Sequence, residues 1–177
     1  MDDVTPGRAV KAAVAAAVAR LEAAGARDEA LADYVVPKRV LGLQRAPRMV
    51  PVGRVWRLGV LLVGPGGEIF GTGEVTRAVA PRHPNNQAVS QELRREHQLA
   101  AFNGPFAPGD TVNYDAVPLD LGALDRGEPS GPLLVVDGEV LVRWSPSSGA
   151  SAPLERYLAD RVGLLVDPPG GAGETDR

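Results

Sequence analysis

Cysteine is absent from the 177 residues, and that absence removes disulfides, thiolate nucleophiles, zinc–thiolate sites and iron–sulfur clusters together. Lysine is nearly absent too: Lys11 and Lys38 are the only two, so arginine carries almost all the positive charge. Aromatic residues make up only 5%, which leaves the core to Ala, Val and Leu. No apolar run reaches the roughly 18 residues of a membrane span. The stretch Ala12–Ala19 has the composition of a secretory leader's apolar region. Asp2 and Asp3, however, stand where such a leader needs positive charge, and Arg20 and Glu22 follow directly. These absences predict a cytoplasmic chain with no membrane partner.

Apolar residues at 44% and charged residues at 23% match ordinary globular usage. The length suits one hydrophobic core, so a single α+β domain is expected over residues 1–167, with residues 168–177 as a loose Gly/Pro-rich tail. The preference for arginine over lysine, with 21 glycines and 16 prolines, fits a GC-rich bacterial genome. Net charge is −3, too mild to demand a polyanion or a membrane surface. Its distribution is uneven. Between Tyr34 and Gly67 lie Lys38, Arg39, Arg45, Arg48, Arg54 and Arg57 with no acidic residue, whereas the chain from Asp110 onward is dominated by carboxylates.

Hydrophobic spacing predicts a helix over residues 6–24, with Val10, Val14, Val18 and Leu21 on one stripe and Gly25 as its stop. A short second helix is expected over Asp28–Val35, completing an N-terminal helical region 6–36, then an irregular connection from Pro37 to Gly53. Arg54–Val63 and Glu68–Val79 read as a hairpin about Gly64-Pro65-Gly66-Gly67, with Val63 opposite Glu68 and Arg57 opposite Glu74. Gly71 and Gly73 then leave a groove for a close-packed helix, from this chain or from a second protomer in a homo-oligomer. Pro81–Gln87 reads as a loop, with Asn86 capping a helix over residues 88–101. A turn at Ala107-Pro108-Gly109-Asp110 leads into a strand over Thr111–Val117. Leu133–Val136 and Glu139–Trp144, joined by Asp137-Gly138, form a type I′ hairpin whose two apolar faces predict burial on both sides. Ser151 caps a last helix over residues 153–165. The order predicts an α+β fold: a mostly antiparallel sheet of about five strands packed by three to four helices.

Few residues carry a chemical signal. His83, His97, Glu92 and Glu96 are metal-ligand types, but no histidine pair has helical i, i+4 spacing, so no metal and no cofactor is assigned. Gly64–Gly73 lacks the Gly-Lys-Ser/Thr ending of a phosphate loop and precedes a strand. Ser145 and its neighbours sit in no nucleophile elbow and no Ser-x-x-Lys pair. What remains is a set of arginines. Arg45, Arg48, Arg54, Arg57 and Arg77 are the candidate binding residues for a protein partner or an anionic ligand, with Trp56 read as a core anchor. The acidic C-terminal half counts against nucleic acid.

Four segments carry a resemblance: 52–60 (VGRVWRLGV), 73–77 (GEVTR), 142–146 (VRWSP) and 157–162 (YLADRV). They resemble a family of small, functionally uncharacterised proteins from high-GC bacteria, some of which bear the name glutaminase. The resemblance covers roughly the last two-thirds of the chain and implies, through that name, a small amidohydrolase. The residues themselves favour another function: a non-catalytic binding or interaction module using an arginine-rich surface. Amidohydrolysis is the alternative, and nucleic-acid binding the further one.

Overall fold

The computed structural model describes residues 4–38, 45–80, 89–145 and 148–168. In chain order the elements are helix α1 (Pro6–Ala23), strands β1 (Glu29–Val35), β2 (Arg48–Leu58), β3 (Leu61–Val63), β4 (Ile69–Gly71) and β5 (Glu74–Arg77), and helix α2 (Val89–Phe102). Strands β6 (Thr111–Tyr114) and β7 (Val117–Pro118), the short helix α3 (Leu121–Asp125), strands β8 (Leu133–Val136), β9 (Glu139–Arg143) and β10 (Ser151–Pro153), and helix α4 (Leu154–Val166) follow. The class is α+β, as expected. The sheet is not one of about five strands. Seven strands pair in the order β5-β6-β1-β2-β3-β4-β7 and three in the order β10-β9-β8. The larger sheet is mixed, because β1 runs parallel to β6, with Ala30 opposite Val112.

The chain divides into two compact units, one of Met1–Arg27, Trp56–Gly71 and Pro118–Arg177, the other of Asp28–Val55 and Thr72–Val117. In the first unit, the Thr5 hydroxyl accepts from the Arg8 N–H (3.4 Å) and Pro6 occupies the first turn of α1, where its missing N–H costs nothing. Val10, Val14, Ala17, Val18 and Leu21 form the buried stripe of α1, and Leu154, Tyr157, Leu158 and Val162 that of α4. Ser151 does not cap α4. It lies in β10 opposite Arg143, and the residue at the cap position, Pro153, makes no side-chain capping bond.

The Asp137-Gly138 turn has both residues at positive φ (49° and 81°), as type I′ geometry demands. Leu133 pairs with Val142 and Val135 with Val140. Only one face of this three-stranded sheet is fully buried: Leu133, Val140 and Val142 lie inside, while Leu134 and Leu141 are half-buried and Val136 is 43% exposed. The expectation of cover on both sides therefore fails.

The predicted strand Arg54–Val63 is in fact two, folded back at Gly59-Val60 so that Trp56 faces Val63 and Leu58 faces Leu61. Gly59 sits at φ +65°, and a Cβ there would collide with the Tyr157 hydroxyl. That hydroxyl accepts from the Val60 N–H (2.9 Å) and donates to the Leu58 carbonyl (3.1 Å), clamping the turn from α4. The next turn also differs from expectation. The Gly64 N–H donates to the Glu68 carbonyl (2.8 Å), which shifts the pairing by one residue to Val63–Ile69. Arg57 consequently faces Leu62, and Glu74 pairs with Tyr114 on β6. Trp56 is buried and donates its indole N–H to the Ala26 carbonyl (3.0 Å), as a core anchor should.

In the second unit, Asp28–Val35 is not a helix: Glu29–Val35 is strand β1, paired with β2 from Glu29–Val55 to Val35–Arg48. β2 starts inside the stretch expected to be irregular. Its Pro51 and Gly53 flank a β-bulge, since Leu31 pairs with Gly53 but Ala32 with Pro51. Residues that read as loop formers are here bulge formers. Helix α2 brings Ala100 and Ala101 into a small core with Ala30, Ala32, Met49, Ala78, Val112 and Tyr114. The Asp110 N–H donates to the Ala107 carbonyl (2.9 Å), closing the predicted turn before β6. At Gly73 the close approach is made by the Asp115 backbone, not by a helix. The expected loop Pro81–Gln87, the Asn86 cap and His83 lie outside the described residues.

Candidate functional site

Among the described residues, the second unit brings imidazole, phenol, carboxylate and guanidinium groups together in one place. A groove of about 390 Å³ is lined by Glu74, Val75, Thr76, Leu93, Arg94, His97, Gln98 and Tyr114. Local geometry explains the gathering. Glu74 and Thr76 pair with Tyr114 and Val112, which places all four on one side of the β5–β6 ladder. On α2, Leu93, Arg94, His97 and Gln98 follow the i, i+4 spacing of a single helix flank.

His97 is held by rings on both sides. Its centroid lies 4.6 Å from that of Tyr34 and 5.0 Å from that of Tyr114, both edge-on. Tyr114 Oη is 2.7 Å from His97 Nδ1, and the Tyr34 hydroxyl donates to Glu96 Oε1 (2.8 Å). Both phenols are made harder to ionise. Burial, then the hydrogen bond to Glu96, pushes Tyr34 up to about 12. Burial, then the charges of Glu74 and Asp115, pushes Tyr114 up. A protonated phenol can donate to Nδ1 or accept from it, so the imidazole tautomer decides which way the Tyr114–His97 bond runs.

This constellation contains the parts of a binding site more readily than those of a nucleophilic one. A nucleophile needs a base beside it and a third group orienting the base. Here the imidazole's partner is a phenol with a raised pKa, and the carboxylate Glu96 is on the other tyrosine. Among the described residues no group of three histidine, cysteine, aspartate or glutamate side chains is arranged to hold a metal ion. After β9 the Ser145 backbone carbonyl accepts from the Gly149 N–H (3.0 Å) and the Ser148 hydroxyl from the Ala150 N–H (3.4 Å).

The five arginines do not form one cluster. Arg45 and Arg48 are exposed at the start of β2. Five residues of extended chain lie between Arg48 and Arg54, a span of about 20 Å. Arg54 is engaged on three sides: Nε (3.1 Å) and Nη2 (2.7 Å) donate to Asp28 Oδ1, and Nη1 to Asp110 Oδ2 (2.9 Å). These bonds, the one to Asp28 first, push its pKa up still further. Arg77 is exposed on β5 opposite Thr111, and Arg57 is half-buried opposite Leu62 in the first unit. Residue types drew attention to His97 and Glu96 but not to Tyr34 and Tyr114, because the pairing of β6 with both β1 and β5 has no local signature in the sequence.

No protein-family model, no curated protein and no solved structure matches the chain. Function has to be argued from these residues alone.

Proposed function

We propose that this protein is a non-catalytic binding module. The observation that carries the reading is that the imidazole and the phenols around it are spent on hydrogen bonds within their own cluster, Tyr114 with His97 and Tyr34 with Glu96, and both phenols are harder to ionise than usual. Groups fixed in this way shape and polarise a surface, whereas proton transfer needs a group poised near the working pH. A second contact surface is supported at the start of β2, where Arg45 and Arg48 stand exposed for an anionic ligand or an acidic protein partner. Arg54 supports the fold instead, through Asp28 and Asp110. A cytoplasmic location belongs to the same proposal, and among the described residues no helix is long and apolar enough to cross a membrane.

A fluorescein-labelled polyglutamate peptide tests the arginine surface. Replacing Arg45 and Arg48 together by alanine weakens its binding at least fivefold, while Arg54→Ala leaves affinity unchanged and lowers stability. The reverse order would remove Arg45 and Arg48 from the site. A salt-sensitive gel shift of a labelled oligonucleotide would point to nucleic acid instead.

Amide hydrolysis is the second reading. Its supporting observation is the juxtaposition of the His97 imidazole and the Tyr114 hydroxyl in a groove able to take a small molecule. Ammonia released from glutamine by the purified protein, and abolished by His97→Ala, would replace the binding reading with this one.

A further inference from the structure

β5 is the last strand of its sheet, and its outer edge carries backbone groups that find no partner among the described residues. The ladder's phase identifies them. The Ala78 N–H donates to the Asp110 carbonyl (2.9 Å), and the same register pairs Thr76 with Val112 and Glu74 with Tyr114. In an antiparallel ladder bonded and non-bonded pairs alternate, so the even-numbered residues of β5 bond to β6 while Val75 and Arg77 direct their backbone groups outward. The Arg77 carbonyl is taken by the Val79 N–H (2.9 Å). Among the described residues the Val75 N–H and C=O and the Arg77 N–H are left without a partner, with Val75 itself 49% exposed.

We propose that this edge is a docking site for an extended segment of another polypeptide, which adds to the sheet as an antiparallel strand and sends alternate side chains into the groove beside α2. The inference rests on the binding reading but not on the arginines at the start of β2. An unpaired strand edge is satisfied by another strand and by little else. The groove states what the side chains should be. Glu74 and Arg94 both line it, and neither has a hydrogen bond or ion pair to a described residue. In a strand added opposite Val75, the two neighbouring residues face the groove, one beside Glu74 and one beside Thr76. A lysine or arginine complements Glu74, and a carboxylate two residues away complements Arg94. The partner is thus an extended peptide with opposite charges at i and i+2.

A second copy of this chain fits less well. Pairing β5 with β5 about Val75 keeps the outward groups in phase, but it sets Glu74 of each copy on a diagonal about 7–8 Å apart, a like-charge contact.

The test presents the purified chain with a synthetic library of eight-residue peptides, Thr and Val alternating with randomised positions. Retained peptides are expected to carry a basic and an acidic residue two apart. Arg94→Glu should weaken the best of them at least tenfold, and a peptide whose acidic residue is replaced by lysine, basic at both positions, should recover most of that loss. Proline in place of the peptide residue opposite Val75 should abolish binding by removing its backbone donor. No retained peptide, retention without the charge pair, or equal binding to the Arg94→Glu variant would overturn the proposal. So would a stable dimer by sedimentation with the Val75 amide protected in the absence of peptide, since a second copy would then hold the edge. A failure here leaves the polyglutamate result standing, and the converse holds too.

Discussion

The two units are built on different principles. The first closes around large aliphatic side chains: Leu21, Leu58, Leu61, Leu124 and Leu133 are all fully buried, on helices and strands whose stripes repeat regularly. The second closes around alanines, Met49, Val112 and a tyrosine ring, with tyrosine–histidine and tyrosine–glutamate hydrogen bonds at its margin. In the first unit burial, which has no direction, does most of the holding, and the directed bonds of Tyr157 and Trp56 pin single points of it. A core of small residues and half-polar rings must be held by directed bonds, and those bonds place titratable groups where a ligand can meet them. This is why the candidate site lies in the second unit.

Replacements of opposite kind should break or sharpen this contrast. Leu133→Ala in the first unit opens a cavity and should lower the unfolding free energy by about 2–5 kcal/mol. Ala101→Leu in the second overfills a tight contact and should cost about 1–3 kcal/mol. Denaturant titration of both variants would collapse the contrast if the order were reversed. Tyr157→Phe removes both hydrogen bonds that clamp the Gly59-Val60 turn and leaves the Val60 N–H without its partner, a loss of about 1–3 kcal/mol. A change near zero would mean that the turn holds by itself.

The smallest effect concerns pH. Tyr34 in the folded protein is pushed up to about 12, above its ordinary value, so the folded state holds this proton more tightly than the unfolded one. The contribution is fully present below about pH 10, the unfolded value, and is lost as pH rises through about 12. Tyr34→Phe, which removes the hydrogen bond to Glu96, should therefore lower stability slightly at neutral pH and flatten the loss between those limits. An unchanged alkaline limb would show that Tyr34 plays no part in it.

The same contrast marks how far the sequence could be read. Stripes of Val and Leu located α1 and α4, and Asp137-Gly138 fixed a hairpin, because these signals are local. Glu29–Val35 misled: Glu-Ala-Leu-Ala favours a helix by propensity, and only the presence of β2 on one side and β6 on the other makes it a strand. Pro51 and Gly53 read as loop because nothing in the chain announces a bulge. Arg54 looked available for a ligand, yet Asp28 and Asp110 meet it from distant parts of the sequence. His97 was visible as a residue type. Its tyrosine partners were not, since they arrive through strand pairings made across long loops.

Residue-resolved amide hydrogen exchange on the isolated protein tests the central claim, that the second unit keeps one strand edge open beside a groove in which Tyr114 and His97 are bonded to each other. Fast exchange at Val75 and Arg77, with slow exchange at Glu74 and Thr76, is the expected pattern. Equal protection of all four amides would contradict it.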